Sequence, residues 1–160
     1  IRDSMETIVQ SKRVLEIFKE MSQIPRESGN EKGISDYIVN FAKNLGLEVH
    51  QDEIFNVVIK KAASPGYENR PSIILQGHID MVCVKDHDSN HDFSKDPIAN
   101  IIEGEWMHAD HTTLGADNGM GAAMMLALLE DESQQHGPMQ LLFTTNEETG
   151  MDGALSLIHI

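Results

Sequence analysis

Ser72-Ile73-Ile74-Leu75-Gln76-Gly77-His78-Ile79-Asp80 begins as an apolar run and closes on an imidazole and a carboxylate. Residues 72–76 are short, apolar and preceded by the turn former Pro71, the signature of a buried strand. In extended chain, residues two apart point the same way, so His78 and Asp80 share a face. Residues 139–145 predict a second buried strand. Between the two, residues 119–130 are rich in alanine and methionine and read as a helix packed against a sheet.

Working outward, residues 4–24 carry Ile8, Val14, Leu15, Ile17, Phe18 and Met21 mostly at helical spacing, until Pro25 stops the helix. Residues 25–33 read as a polar turn. Ile34, Tyr37, Ile38, Phe41, Ala42 and Leu45 then line one face of a second helix, which Gly46 caps. Residues 47–51 and 54–60 read as strands joined at Asp52-Glu53. Residues 64–71 and 86–97 are loops, and residues 100–108 form a hairpin around Glu103-Gly104-Glu105. Strands alternating with helices predict an α/β domain with a mixed, largely parallel sheet flanked by helices. There is no internal repeat or domain boundary. In such sheets ligands gather beyond the carboxyl ends of the strands.

Twelve basic and twenty-six acidic side chains give a formal charge of −14. Such a surface repels phosphate backbones and anionic membranes, which argues against nucleic acid and lipid as partners. No stretch reaches the roughly 20 apolar residues of a membrane span. Cys83 is the only cysteine, so no internal disulfide exists and a cytoplasmic setting is expected. Eight histidines among many carboxylates supply the donors that borderline divalent metals prefer. The chain opens on Ile1, without an export signal, and ends at Ile160 without a helix stop. These ends suggest a truncated reading frame and leave open whether residues 155–160 are native.

Three constellations carry chemistry. His78-Ile79-Asp80 suits a metal-binding imidazole whose second nitrogen is held by a carboxylate. Taken alone, it more often describes a strand-end histidine beside a solvated aspartate. His108-Ala109-Asp110 has the same spacing with His111 beside it, but it follows no buried strand and reads as a polar hairpin end. In Leu114-Gly115-Ala116-Asp117-Asn118-Gly119-Met120-Gly121, Asp117 stands where a loop meets a helix. It is either an N-cap or a carboxylate bridging two cations about 3.5–4 Å apart. In Thr144-Thr145-Asn146-Glu147-Glu148-Thr149-Gly150, neighbouring glutamates leave a strand in different directions. One can bind metal while the other faces a reacting water. A solvated acidic turn is the plain alternative. Cys83, Met120, Met124 and Met125 read as packing, His87 and His91 as solvated loop residues, and His136 as part of a turn.

Together these motifs resemble the aminoacyl-histidine dipeptidases (peptidase D) of the co-catalytic zinc peptidase family that includes carboxypeptidase G and aminoacylase. The matching stretches are residues 77–80, 112–119 and 146–154, with further likeness at residues 91–97 and 104–106. The resemblance implies hydrolysis of dipeptides, Xaa-His foremost, or of N-acyl amino acids or tripeptides in a related enzyme. A non-catalytic metal-binding remnant is the reading that keeps the site without turnover. His78 and Glu148 would each bind one of two divalent ions, and Asp117 would bridge them. Zinc is expected, with manganese or cobalt as substitutes. Glu147 would be the general base and Asp80 the residue orienting His78, and a cis peptide would follow Asp117. Residues 1–160 would form the N-terminal part of the catalytic domain. A further carboxylate and histidine would come from its absent C-terminal part. A lid or dimerisation domain, through which a homodimer forms, would also lie outside the chain.

Overall fold

The computed structural model describes residues 2–157, with side chains from residue 11 onward. Helix α1 (Arg2–Ser22) is followed by α2 (Lys32–Asn44). Strands β1 (Glu48–Gln51) and β2 (Val57–Lys61) then form a hairpin, and β3 (Ile73–His78) follows. A separate hairpin of β4 (Asn100–Glu103) and β5 (Trp106–Ala109) precedes α3 (Ala116–Glu130), β6 (Met139–Thr144) and the short α4 (Asp152–Ser156). Among the described residues, no helix is long and apolar enough to cross a membrane.

The main sheet has the order β1-β2-β6-β3. Its β1/β2 and β2/β6 pairs are antiparallel, and only β3/β6 is parallel. The expected mixed sheet is present, but its largely parallel character is corrected to mostly antiparallel. Hydrophobic periodicity reveals which face of a strand is buried and carries no information about the direction of its neighbour.

One face of the sheet is packed. Val57, Ile59, Leu141 and Phe143 are fully buried against Ile17, Phe18 and Met21 of α1, Ile34 and Ile38 of α2, and Ala122, Ala123 and Leu126 of α3. The opposite face carries Ile74, Gln76 and Lys60, all exposed. Helices α1, α2 and α3 thus share a single layer. Phe143 of β6 is fully buried in the core between the sheet and these helices, so Phe143→Ala should cost about 3–5 kcal/mol of unfolding free energy. Urea denaturation followed by circular dichroism reads this directly, and a loss below about 1 kcal/mol would mean that the packing is wrong.

Several local expectations shift. Leu15 (39% exposed) and Met124 (56%) lie outside the core despite their helical spacing. The expected strand at residues 54–60 starts only at Val57. Asp52 instead closes a tight turn, accepting the backbone N–H groups of Ile54 and Asn56, with Phe55 in the left-handed region at φ 70°. His91 is half-buried with its ring edge-on to Phe93 rather than solvated. Of residues 155–160, Leu155 and Ser156 belong to α4, and 158–160 lie outside the described residues.

Candidate metal centre

The single parallel pair builds the site. His78 is in register with Thr144, and the Ile79 N–H continues the ladder to the Thr144 carbonyl at 2.8 Å. Parallel pairing brings the carboxyl ends of β3 and β6 to the same edge. The Ile79–Asp80 and Asn146–Glu148 turns therefore leave side by side.

Asp117 arrives from a third direction. Gly115 takes φ 73°, and Asp117 and Asn118 keep non-helical dihedrals, so regular helix begins only afterwards. The Asp117–Asn118 peptide is cis. Asn118 lies against Gly77 and Gly121, where a side chain on either glycine would collide with its amide.

His78, Asp117 and Glu148 each present one ligand atom, and these atoms lie within 4.8 Å of one another. The His78 ring divides its two nitrogens. Nδ1 is 3.1 Å from the Asp80 carbonyl and 3.4 Å from its carboxylate, while Nε2 faces Asp117 Oδ1 at 3.2 Å. With Nδ1 donating to Asp80, Nε2 is left with a lone pair for a cation. Glu147 Oε2 stands 3.8 Å from Nε2, outside the three-residue cluster.

Asp80 is fully buried and does more than orient the imidazole. Its Oδ1 accepts the Glu147 N–H at 3.1 Å, and Oδ2 accepts the Glu148 N–H at 3.2 Å and the Ser28 hydroxyl at 2.7 Å. Burial works against its charge, yet the bonds from His78, Ser28 and the two amides outweigh burial and hold the carboxyl down at about 2. For His78, burial opposes protonation, but its bonds to Asp80 and Asp117 and the Asp80 and Glu147 charges push it up to about 9. Surroundings that favour an imidazolium also favour a metal cation. Among the described residues, no lysine or arginine pairs with Asp117, Glu147 or Glu148. Nitrogen and carboxylate donors without thiolate suit zinc, with manganese as the harder alternative.

The structure therefore brings all five predicted site residues to one edge. His78 and Asp80 are buried, Glu147 is half-buried, and Asp117 and Glu148 are exposed. It leaves the look-alike segment apart. His108 faces Glu103 at 3.7 Å and His111 bonds Asp86 at 2.7 Å, both on the surface. Sequence reasoning missed Arg26, Ser28 and Glu31, which it placed in a polar turn. A proline-terminated helix followed by charged residues looks the same whether those charges point to water or inward.

Residues 74–159 match the model of peptidase family M20/M25/M40. The chain is 49% identical over 142 residues to the cytosol non-specific dipeptidase of Escherichia coli (strain K12), covering 89% of this chain and 29% of that relative. The solved aminoacylhistidine dipeptidase from Vibrio alginolyticus superposes with a TM-score of 0.86 at 46% identity, over 89% of this chain and 29% of that one. A tripeptidase from Staphylococcus aureus subsp. aureus Mu50 gives 0.75 at 29% identity, over 92% and 39%. The chain thus spans less than a third of the first two relatives.

Proposed function

Because the chain belongs to peptidase family M20/M25/M40, we propose that the full-length protein is a dinuclear metallo-dipeptidase acting on short peptides, with Xaa-His dipeptides among its substrates. The observation that carries this reading is the gathering of His78, Asp117 and Glu148 ligand atoms within 4.8 Å, with no lysine or arginine paired to them among the described residues. In this reading His78 and Glu148 would each hold one ion and Asp117 would be shared between the two. Residues outside this chain complete the ligand set, and a lid domain there provides a homodimer interface.

When bound, the two divalent ions polarise the scissile carbonyl and acidify the attacking water. The chain's own residues then do three things. Asp80 fixes the His78 ring and anchors the Glu147 and Glu148 amides. Glu147, next to the cluster but not part of it, takes the proton of the attacking water. As the C–N bond breaks, the same carboxyl returns that proton to the leaving amine.

The named relatives point to peptides of different length, a dipeptidase at 49% identity and a tripeptidase at 29%. The higher identity supports dipeptides. The test is to assay the zinc-loaded full-length protein on Ala-His, other dipeptides, tripeptides and acetyl amino acids. Dipeptides should give the highest kcat/KM, with Xaa-His cleaved. Preferential tripeptide or N-acyl cleavage would replace this substrate assignment, and metal binding without any turnover would leave a non-catalytic binding protein.

A further inference from the structure

The six residues from Arg26 to Glu31 follow α1 and contribute no candidate ligand, yet they reach all three segments that do. We propose that this turn is the positioning frame of the metal centre, with the Arg26 guanidinium as its central clamp and Ser28 and Glu31 as its outer contacts. The proposal deepens the metal-centre reading above and rests on it.

Arg26 is 2% exposed. Its Nη1 donates to the Ile79 carbonyl at 3.2 Å, between His78 and Asp80, and its Nη2 donates to the Gly115 carbonyl at 2.6 Å, two residues before Asp117. Its own carbonyl accepts the Met81 N–H at 3.1 Å, which locks the far side of the His78 loop. Ser28 Oγ donates to Asp80 Oδ2 at 2.7 Å. Glu31, 4% exposed, accepts the Asn146 N–H at 3.0 Å and so holds the turn that carries Glu147 and Glu148. One short segment therefore sets the spacing of the His78, Asp117 and Glu148 carriers. These lie far apart in sequence, and Asp117 shares no strand pairing with the other two.

Chemistry and space both favour arginine here. The planar guanidinium offers several fixed donors and can hold two carbonyls at a set separation, whereas an ammonium is a point charge. The protein makes room for it. A Cβ on Gly115 or on Gly119 would lie 2.5 Å from Nη2. Burying this cation costs stability, and its Nε has no hydrogen-bond partner among the described residues. An apolar side chain would fill the space without that cost but could not tie the two loops together.

The test uses the full-length protein with R26K, S28A and S28T. Each is titrated with Co2+ against a competing chelator while the visible d–d bands are recorded, and the metal-free melting temperature is measured alongside. R26K and S28A should weaken Co2+ binding by about 10- to 100-fold, the usual effect of removing a group that orients metal ligands, and should shift the bands. S28T, which restores a hydroxyl, should return affinity and spectrum to within about twofold of the unsubstituted protein. S28A deletes a single half-buried hydroxyl, so it carries the test independently of how well R26K folds. Unchanged affinity and spectrum in both variants would overturn the frame. So would losses in S28A that S28T does not repair, or that simply follow the melting temperature. Failure of the unsubstituted protein to bind Co2+ would instead overturn the metal-centre reading, and the frame with it.

Discussion

Glu147→Ala in the full-length protein is expected to lower kcat for dipeptide hydrolysis by about 10²- to 10⁴-fold, the range for loss of a general base, while the bound metal remains. The expectation follows from how the two adjacent glutamates are held. Their amides sit on the two oxygens of one buried carboxylate, Asp80, at 3.1 and 3.2 Å. Their side chains then diverge. Glu148 contributes an oxygen to the ligand cluster, whereas Glu147 stands 3.8 Å from His78 Nε2, beside the place a cation would occupy. Removing Glu147 should therefore remove proton transfer more than affinity. Steady-state kinetics together with elemental analysis after dialysis separate the two effects. An alanine variant that loses turnover and metal in equal measure would show that the two glutamates have been given each other's roles.

Asp117→Ala should have the other large effect. Metal content should fall from two ions per chain to at most one, and dipeptide turnover to background. A carboxylate has two oxygens and can contact two cations at once, while an imidazole nitrogen contacts one. Among His78, Asp117 and Glu148, Asp117 is the carboxylate already beside the imidazole, 3.2 Å from its Nε2. Losing a direct ligand should exceed the 10- to 100-fold affinity penalty typical of losing a supporting group. Asp117→Asn, which keeps one oxygen, should fall between the parent and the alanine variant. Inductively coupled plasma analysis reads the ion count. Two tightly held ions in Asp117→Ala would mean that the bridge lies elsewhere.

What could be read from the sequence was local. His78 ends an apolar run and Glu147-Glu148 follows another, so both lie at strand ends as expected, although the first run forms an edge strand with Ile73 and Ile74 exposed rather than the buried strand it suggested. The glycines around Asp117 announced a loop entering a helix, and the fold has that junction, with Gly115 in the left-handed region. His108 was separated from His78 for the same reason, because β5 is an exposed hairpin strand without an apolar run. Periodicity and turn chemistry act over a few residues, and these inferences needed no more range than that.

Apart from the local Asp52 turn and the His91–Phe93 contact, the errors concerned partners distant in sequence. Met124 has helical spacing but lies on the face of α3 that meets solvent. Arg26 and Glu31 looked like surface charges until segments 53 to 115 residues away came to enclose them. The order β1-β2-β6-β3, with one parallel pair among two antiparallel ones, is likewise absent from any single stretch.

The sequence by itself determined which residues are chemically fit for a metal centre and roughly where most strands and helices lie. Both are properties of a residue and its near neighbours. Tertiary structure alone decided that β3 and β6 run side by side in the same direction, and that a buried arginine ties the Asp117 loop to the end of β3. Strand direction and long-range hydrogen bonds depend on how elements pack against one another, and the free energy that selects one packing is spread over the whole core.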